Sequence, residues 1–95
     1  MFIVSLTYIR PLSEVDAFIP EHIAYLDKHY RLGHFQLSGP KVPRTGGVIV
    51  ATVGDRETLD NLLSEDPFYR EQLAEYQVIE FVPNRSSHDL ECMVE

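Results

Sequence analysis

The chain predicts an α+β fold of ferredoxin-like order, β-α-β-β-α-β, in which a four-stranded antiparallel sheet carries both helices on one face. Three observations carry that prediction. Residues 2–9, "FIVSLTYI", and residues 76–82, "YQVIEFV", read as strands at the two ends of the chain. Two segments with helical periodicity lie between them, each preceded by a capping side chain. Two further strands separate the helices and are joined by "GPKVPRTGG", whose prolines and glycines forbid regular structure. A length of 95 residues suits one domain, expected over 1–83, with a polar tail over 84–95 that is mobile or laid on a partner.

In the first strand Phe2, Val4, Leu6 and Tyr8 point one way and Ile3, Ser5, Thr7 and Ile9 the other. Arg10 and Pro11 close it. Ser13 is the expected N-cap of a helix from Glu14 to about Leu32 that stops at Gly33, and Pro20 within that span predicts a kink or two helical pieces. Residues 34–39 form a short strand with Phe35 and Leu37 on one face and Gln36 and Ser38 on the other. "GVIVATV" is apolar on both sides and reads as a central strand. Asp55 caps a helix whose buried stripe is Leu59, Leu62 and Leu63, and "EDPFYREQL" adds a further turn or two.

Composition excludes several function classes. A net charge of −7 with no basic run argues against nucleic acid, whose phosphates need clustered cations. No stretch has the roughly 18–20 apolar residues of a membrane span, and "MFIVSLTYIRP" lacks the parts of a signal peptide, so a cytoplasmic location is expected. Cys92 is the only cysteine, which rules out an internal disulfide, and neither it nor His88 belongs to a metal or nucleophile pattern.

With both helices on the face of Phe2, Val4, Leu6 and Tyr8, the opposite face keeps Ile3, Ile9 and one side of residues 48–53 uncovered. An exposed apolar patch of that kind marks an interface. A homodimer packed sheet against sheet would cover it and would enclose Ser5, Thr7, Gln36 and Ser38, giving a mostly apolar pocket with a few hydroxyls for a small organic ligand.

The helix after Pro20 carries two histidines. On its wheel Ile23, Leu26 and Tyr30 form the expected core stripe, with His22 and His29 on the flank. A flank histidine is ordinarily a half-buried filler, and that reading holds for His29. Their spacing is too wide for a helical metal pair, no carboxylate or cysteine completes a ligand set, and neither metal nor cofactor is expected. Asp66, followed by Pro67, reads as a helix N-cap, but a carboxylate has two oxygens and the second is able to hold a histidine. Lys41 and Arg44 in the loop and Arg10 at the strand end are either solvated charges or contacts to a substrate anion.

Taken together, "PEHIAYLDKHYRLGHFQLSGP" and "LLSEDPFYREQLAEYQVIEFVP" resemble the YciI-like (YCII-related) family over residues 2–83. The marks are the helical histidine followed by an aliphatic pair, "SGP" after the second strand, Asp-Pro-aromatic after the second helix, and the aromatic-rich last strand. The resemblance implies a dimeric α+β barrel and a pair formed by His22 and Asp66 lining a cleft. It also implies kinship with muconolactone isomerase-like proteins, antibiotic-biosynthesis-type monooxygenases and enzymes of dehydrochlorination, a range too wide for the fold to fix a reaction. A histidine whose second nitrogen is held by a carboxylate is a general acid/base, and Ser38, the one hydroxyl near such a site, sits in no nucleophile motif. Three readings fit: a lyase or isomerase with His22 as base, Asp66 as orienting carboxylate and Ser38, Thr7, Ser5 and Arg10 on the substrate; a metabolite-binding or regulatory module without turnover; and a cofactor-independent monooxygenase.

Overall fold

The computed structural model describes residues 1–95. The strands are β1 (Phe2–Tyr8), β2 (Phe35–Pro40), β3 (Gly46–Ala51) and β4 (Ala74–Glu80), antiparallel throughout in the order β2-β3-β1-β4. The helices are α1 (Leu12–Ala17), α2 (Ile19–Arg31), α3 (Arg56–Leu63) and α4 (Pro67–Arg70). This is the expected α+β topology, with β3 central as its two-sided apolar pattern requires.

The register assigns each face. Phe2, Val4 and Leu6 pair with Ala51, Ile49 and Gly47 on one side and with Glu80, Val78 and Tyr76 on the other. Phe2, Val4, Leu6, Ile49 and Ala51 are buried and join Leu59, Leu62, Leu63 and Phe68 of the helices in one core. The opposite face, with Ile3, Ser5, Thr7, Val48, Val50 and Ile79, has no helix over it, and Ile79 is 63% exposed.

The proline-interrupted helix is two pieces, as expected, with the break at Phe18 and Pro20 in the first turn of α2. The start differs: Pro11 occupies the N-cap of α1, and Ser13 lies inside the helix and caps nothing. Proline at that position already holds the extended backbone a helix entry needs. Gly33 ends α2 with φ +78, the left-handed conformation that glycine adopts without a side-chain clash.

Two side-chain directions differ from the sequence reading. On α2 the buried residues are Tyr25 and His29, whereas Ile23 is 50% exposed and Tyr30 37%. The core stripe is therefore rotated toward the histidines, which turn inward because each finds a polar partner there. On β2 a bulge between Phe35 and Leu37 sets two residues against one step of β3. Phe35 stays in the core, Leu37 is turned out, and Ser38 comes onto the helix side opposite buried Ile49. Alternation cannot persist through an inserted residue.

Beyond β4 the tail turns back. His88–Met93 form a 3-10 segment, the Glu95 amide donates to Pro83 O at 2.8 Å, and the Met1 amino group lies 3.6 Å from the Glu95 carboxylate. No helix is long and apolar enough to cross a membrane.

Candidate functional site

Asp66 stands between α3 and α4. Its extended backbone and the following Pro67 make it the N-cap of α4, and its Oδ1 accepts the Phe68 amide at 3.0 Å. The same Oδ1 is 2.8 Å from Nδ1 of His22 on α2. Oδ2, left free by the cap, accepts the hydroxyl of Tyr76 on β4 at 2.7 Å. The carboxylate is wholly buried, so every acceptor direction it uses is supplied by the protein.

A carboxylate can only accept, so Nδ1 of His22 donates and carries the ring proton when the imidazole is neutral. The other nitrogen, Nε2, then holds a lone pair. It has no hydrogen-bond partner in the protein, yet no buried polar side-chain atom of the chain lacks one, so Nε2 reaches solvent. The ring plane is held as well. Phe68 stacks against it at 4.1 Å between centroids with only 8° between planes. Phe68 thus donates its amide to the Asp66 cap and holds the histidine ring with its own.

His22 opens on a cavity of about 280 Å³ between α2 and the sheet. Ile19, Ile23 and Leu26 form its helix wall, Leu6, Tyr8 and Ile49 its sheet wall, and Phe68 closes one side. Gly39, Gly46 and Gly47 make up much of the rest. Gly46 is forced, since a Cβ there would come within 1.8 Å of Leu6 O. Gly47 faces the helix side in register with Leu6, so its missing side chain leaves room rather than filling it. The volume is at the small end of ligand pockets and suits a molecule of about one ring.

Two further polar groups line the cavity. Ser38, brought to this side by the bulge, is hydrogen-bonded to the Tyr30 hydroxyl. Arg44 from the β2–β3 loop sits 5.7 Å from the Tyr8 ring and pairs with Asp16 at 2.6 Å. The Asp16 partnership raises its pKa above the ordinary arginine value, so it is a fixed cation at the rim. No group of three His, Cys, Asp or Glu side chains converges as a metal-holding set.

The structure therefore brings together His22, Asp66 and Ser38 and leaves the other candidates elsewhere. Ser5 and Thr7 belong to the uncovered sheet face, where Lys41 Nζ donates to Thr7 Oγ1 at 3.1 Å. Arg10 lies past the end of β1 in a separate open depression with Glu14, Phe18 and Glu71. The cavity beside His22 is on the helix side of the sheet, whereas the hydroxyl pattern pointed to a pocket on the open face. Of the three cations weighed as substrate contacts, Arg44 lines the cavity, and Tyr76 is the residue that the pattern missed.

His29 has a different setting. It is buried, with Nδ1 2.9 Å from Nδ1 of His34 and Nε2 3.2 Å from the Glu65 carboxylate. Burial lowers its pKa, and the hydrogen bond to Glu65 opposes that shift more weakly. The Lys28 ammonium, 2.8 Å away, holds Glu65 below the usual carboxylate range.

Among solved structures of similar fold is 5-chloro-2-hydroxyhydroquinone dehydrochlorinase from Burkholderia phenoliruptrix AC1100, in complex with 2,5-dihydroxybenzoquinone. The two chains are 19% identical with a TM-score of 0.72, over 87% of this chain and 95% of that one. At that identity the likeness speaks for the fold. No curated protein matches the chain. The YCII-related domain matches residues 1–82, from the first strand to just past the last, and the chain belongs to that family.

Proposed function

We propose that the protein is a small-molecule lyase or isomerase in which His22 is the acid/base and Asp66 its orienting carboxylate. The observation that carries this reading is the imidazole held at Nδ1 by a buried carboxylate 2.8 Å away, with Nε2 unpartnered at a cavity of about 280 Å³. Nε2 takes a proton from an acidic C–H or O–H of the ligand, and Asp66 stabilises the imidazolium that results. In an elimination, the electron pair left behind forms a new double bond as the leaving group departs with its own bonding pair, for a net loss of HX. In an isomerisation, the same proton returns to a different atom.

The apolar walls and the stacked Phe68 support a flat, one-ring substrate, and the fold likeness to a dehydrochlorinase bound to 2,5-dihydroxybenzoquinone supports a hydroxylated ring bearing a halide. Arg44 and Ser38 supply the polar contacts for its oxygens. The proposal includes a homodimer. Ile3, Val48, Val50 and Ile79 lie on a sheet face without cover, and a second copy would bury them. Light scattering at micromolar concentration is expected to give twice the chain mass, and a monomer there would remove the dimer from the account.

The experiment that tests the function is a thermal-shift screen of hydroxylated and halogenated one-ring compounds, followed by turnover assays of the hits with wild type and His22→Ala. Turnover that disappears in a folded His22→Ala supports the enzyme. Stabilisation by a ligand with no turnover in wild type would favour a metabolite-binding module instead.

A further inference from the structure

Asp66 has one more partner than a helix cap and a histidine require. Tyr76 pairs in register with Leu6, which turns its ring to the helix side of the sheet, and its hydroxyl donates to Asp66 Oδ2 at 2.7 Å. The two donors on Oδ1, the Phe68 amide and His22 Nδ1, account for the other oxygen. Tyr76 does not line the cavity, so it has no contact with a ligand bound there. Its own ring rests edge-on against Tyr69, 5.4 Å away, a packing contact that phenylalanine would make equally well. The hydroxyl is thus the feature that packing leaves unexplained. Burial, and then the Asp66 charge, raise its pKa, which keeps it a donor.

We propose that Tyr76 is a positioning residue: by holding Oδ2 it keeps Oδ1 turned toward His22 and locks the neutral imidazole as the Nδ1–H tautomer with Nε2 unprotonated. The lock has chemical content. A neutral imidazole without a partner favours the proton on Nε2, the opposite of what a base at Nε2 needs. Without the Tyr76 hydroxyl, Oδ2 would be a buried acceptor with no donor, and the carboxylate would turn to recover one at the expense of the His22 bond. The catalytic consequence rests on the acid/base reading of His22. The tautomer is a property of the ligand-free protein, so its failure and the failure of that reading are separable.

The test is a two-bond proton–nitrogen correlation spectrum of histidine-labelled, ligand-free protein at a pH where His22 is neutral. Wild type is expected to show a protonated-type Nδ1 and an unprotonated-type Nε2. In Tyr76→Phe the two nitrogen shifts are expected to move toward each other as the second tautomer becomes populated. A folded Tyr76→Phe that keeps the wild-type pattern would overturn the proposal and leave Tyr76 as a partner of the cap alone. Should that variant not fold, 3-fluorotyrosine at position 76 retains the hydroxyl as a stronger donor, draws charge from the carboxylate and moves the His22 Nδ1 proton signal upfield. An unmoved signal would equally overturn it. Loss or survival of turnover in His22→Ala decides the acid/base reading independently.

Discussion

One helix carries two histidines that lean on adjacent carboxylates, and the two pairs differ in what they leave free. His22 rests on Asp66, and His29 rests on Glu65. In the first pair the carboxylate is wholly buried and the imidazole keeps one nitrogen unpartnered at a cavity. In the second the order is reversed: the imidazole is buried with both nitrogens engaged, and the carboxylate is 44% exposed and shared with a lysine. Under the proposed function, a buried carboxylate that holds a reachable imidazole makes a base. A reachable carboxylate that satisfies a buried imidazole makes a piece of core. The residue types are nearly the same, and burial assigns the roles.

The contrast is sharpest on the carboxylates. Asp66→Ala removes the acceptor of three hydrogen bonds, one of them the cap, and is expected to cost about 3 kcal/mol. Glu65→Ala removes an exposed ion-pair partner of Lys28 and the single acceptor that holds Nε2 of buried His29, and is expected to cost about 1–2 kcal/mol. Asp66→Asn restores most of the loss, since asparagine caps about as well and the Tyr76 hydroxyl can turn to accept from the amide. Urea midpoints of the three variants check the order, and equal losses for Asp66→Ala and Glu65→Ala would erase the distinction.

The histidines invert that ranking. His29→Ala opens a hole among Tyr25, His34 and Phe35 and is expected to cost about 2–3 kcal/mol. His22→Ala borders an existing cavity and is expected to cost about 1 kcal/mol, measured in the same way.

Acid separates them further. Burial places the folded pKa of His29 below its ordinary value of 6.5, so the folded state resists a proton that the unfolded chain takes up. Its contribution is fully present above about pH 6.5 and is lost as pH falls from there through the folded value. Glu65, also lowered, adds a second loss below about pH 4.5. Wild type is therefore expected to lose more stability between pH 8 and pH 5 than His29→Gln does, and parallel pH profiles would contradict the assignment. The smallest effect belongs to Lys28→Met, which breaks an exposed ion pair and is expected to shift stability by no more than about 0.5 kcal/mol.

How much of this was legible in the sequence follows from the physics of each residue. The β-α-β-β-α-β order, the Gly33 stop, the Asp55 and Asp66 caps and the leucine stripe of α3 rest on local rules that tertiary structure had no reason to override. The face of α2 was misread because hydrophobicity alone turns Ile23 inward, and it cannot know that Asp66 and Glu65 make inner positions acceptable for histidine. Ser38 was marked as a polar candidate but assigned to the wrong face, since no residue in "HFQLSG" announces the bulge that inverts it. Tyr76 was invisible as a site residue. A tyrosine in an alternating strand looks the same whether its hydroxyl meets water or a carboxylate, and only the β1–β4 register brings it to Asp66.

The central claim is that His22, and not His29, is the working acid/base. Halide release from chlorinated hydroquinones, followed for wild type, His22→Ala and His29→Ala with the fold of each checked by circular dichroism, tests it most directly. The account predicts release by wild type, a loss of at least about a hundredfold in His22→Ala, and a rate within a few fold of wild type in folded His29→Ala. Release by His22→Ala at the wild-type rate would contradict it.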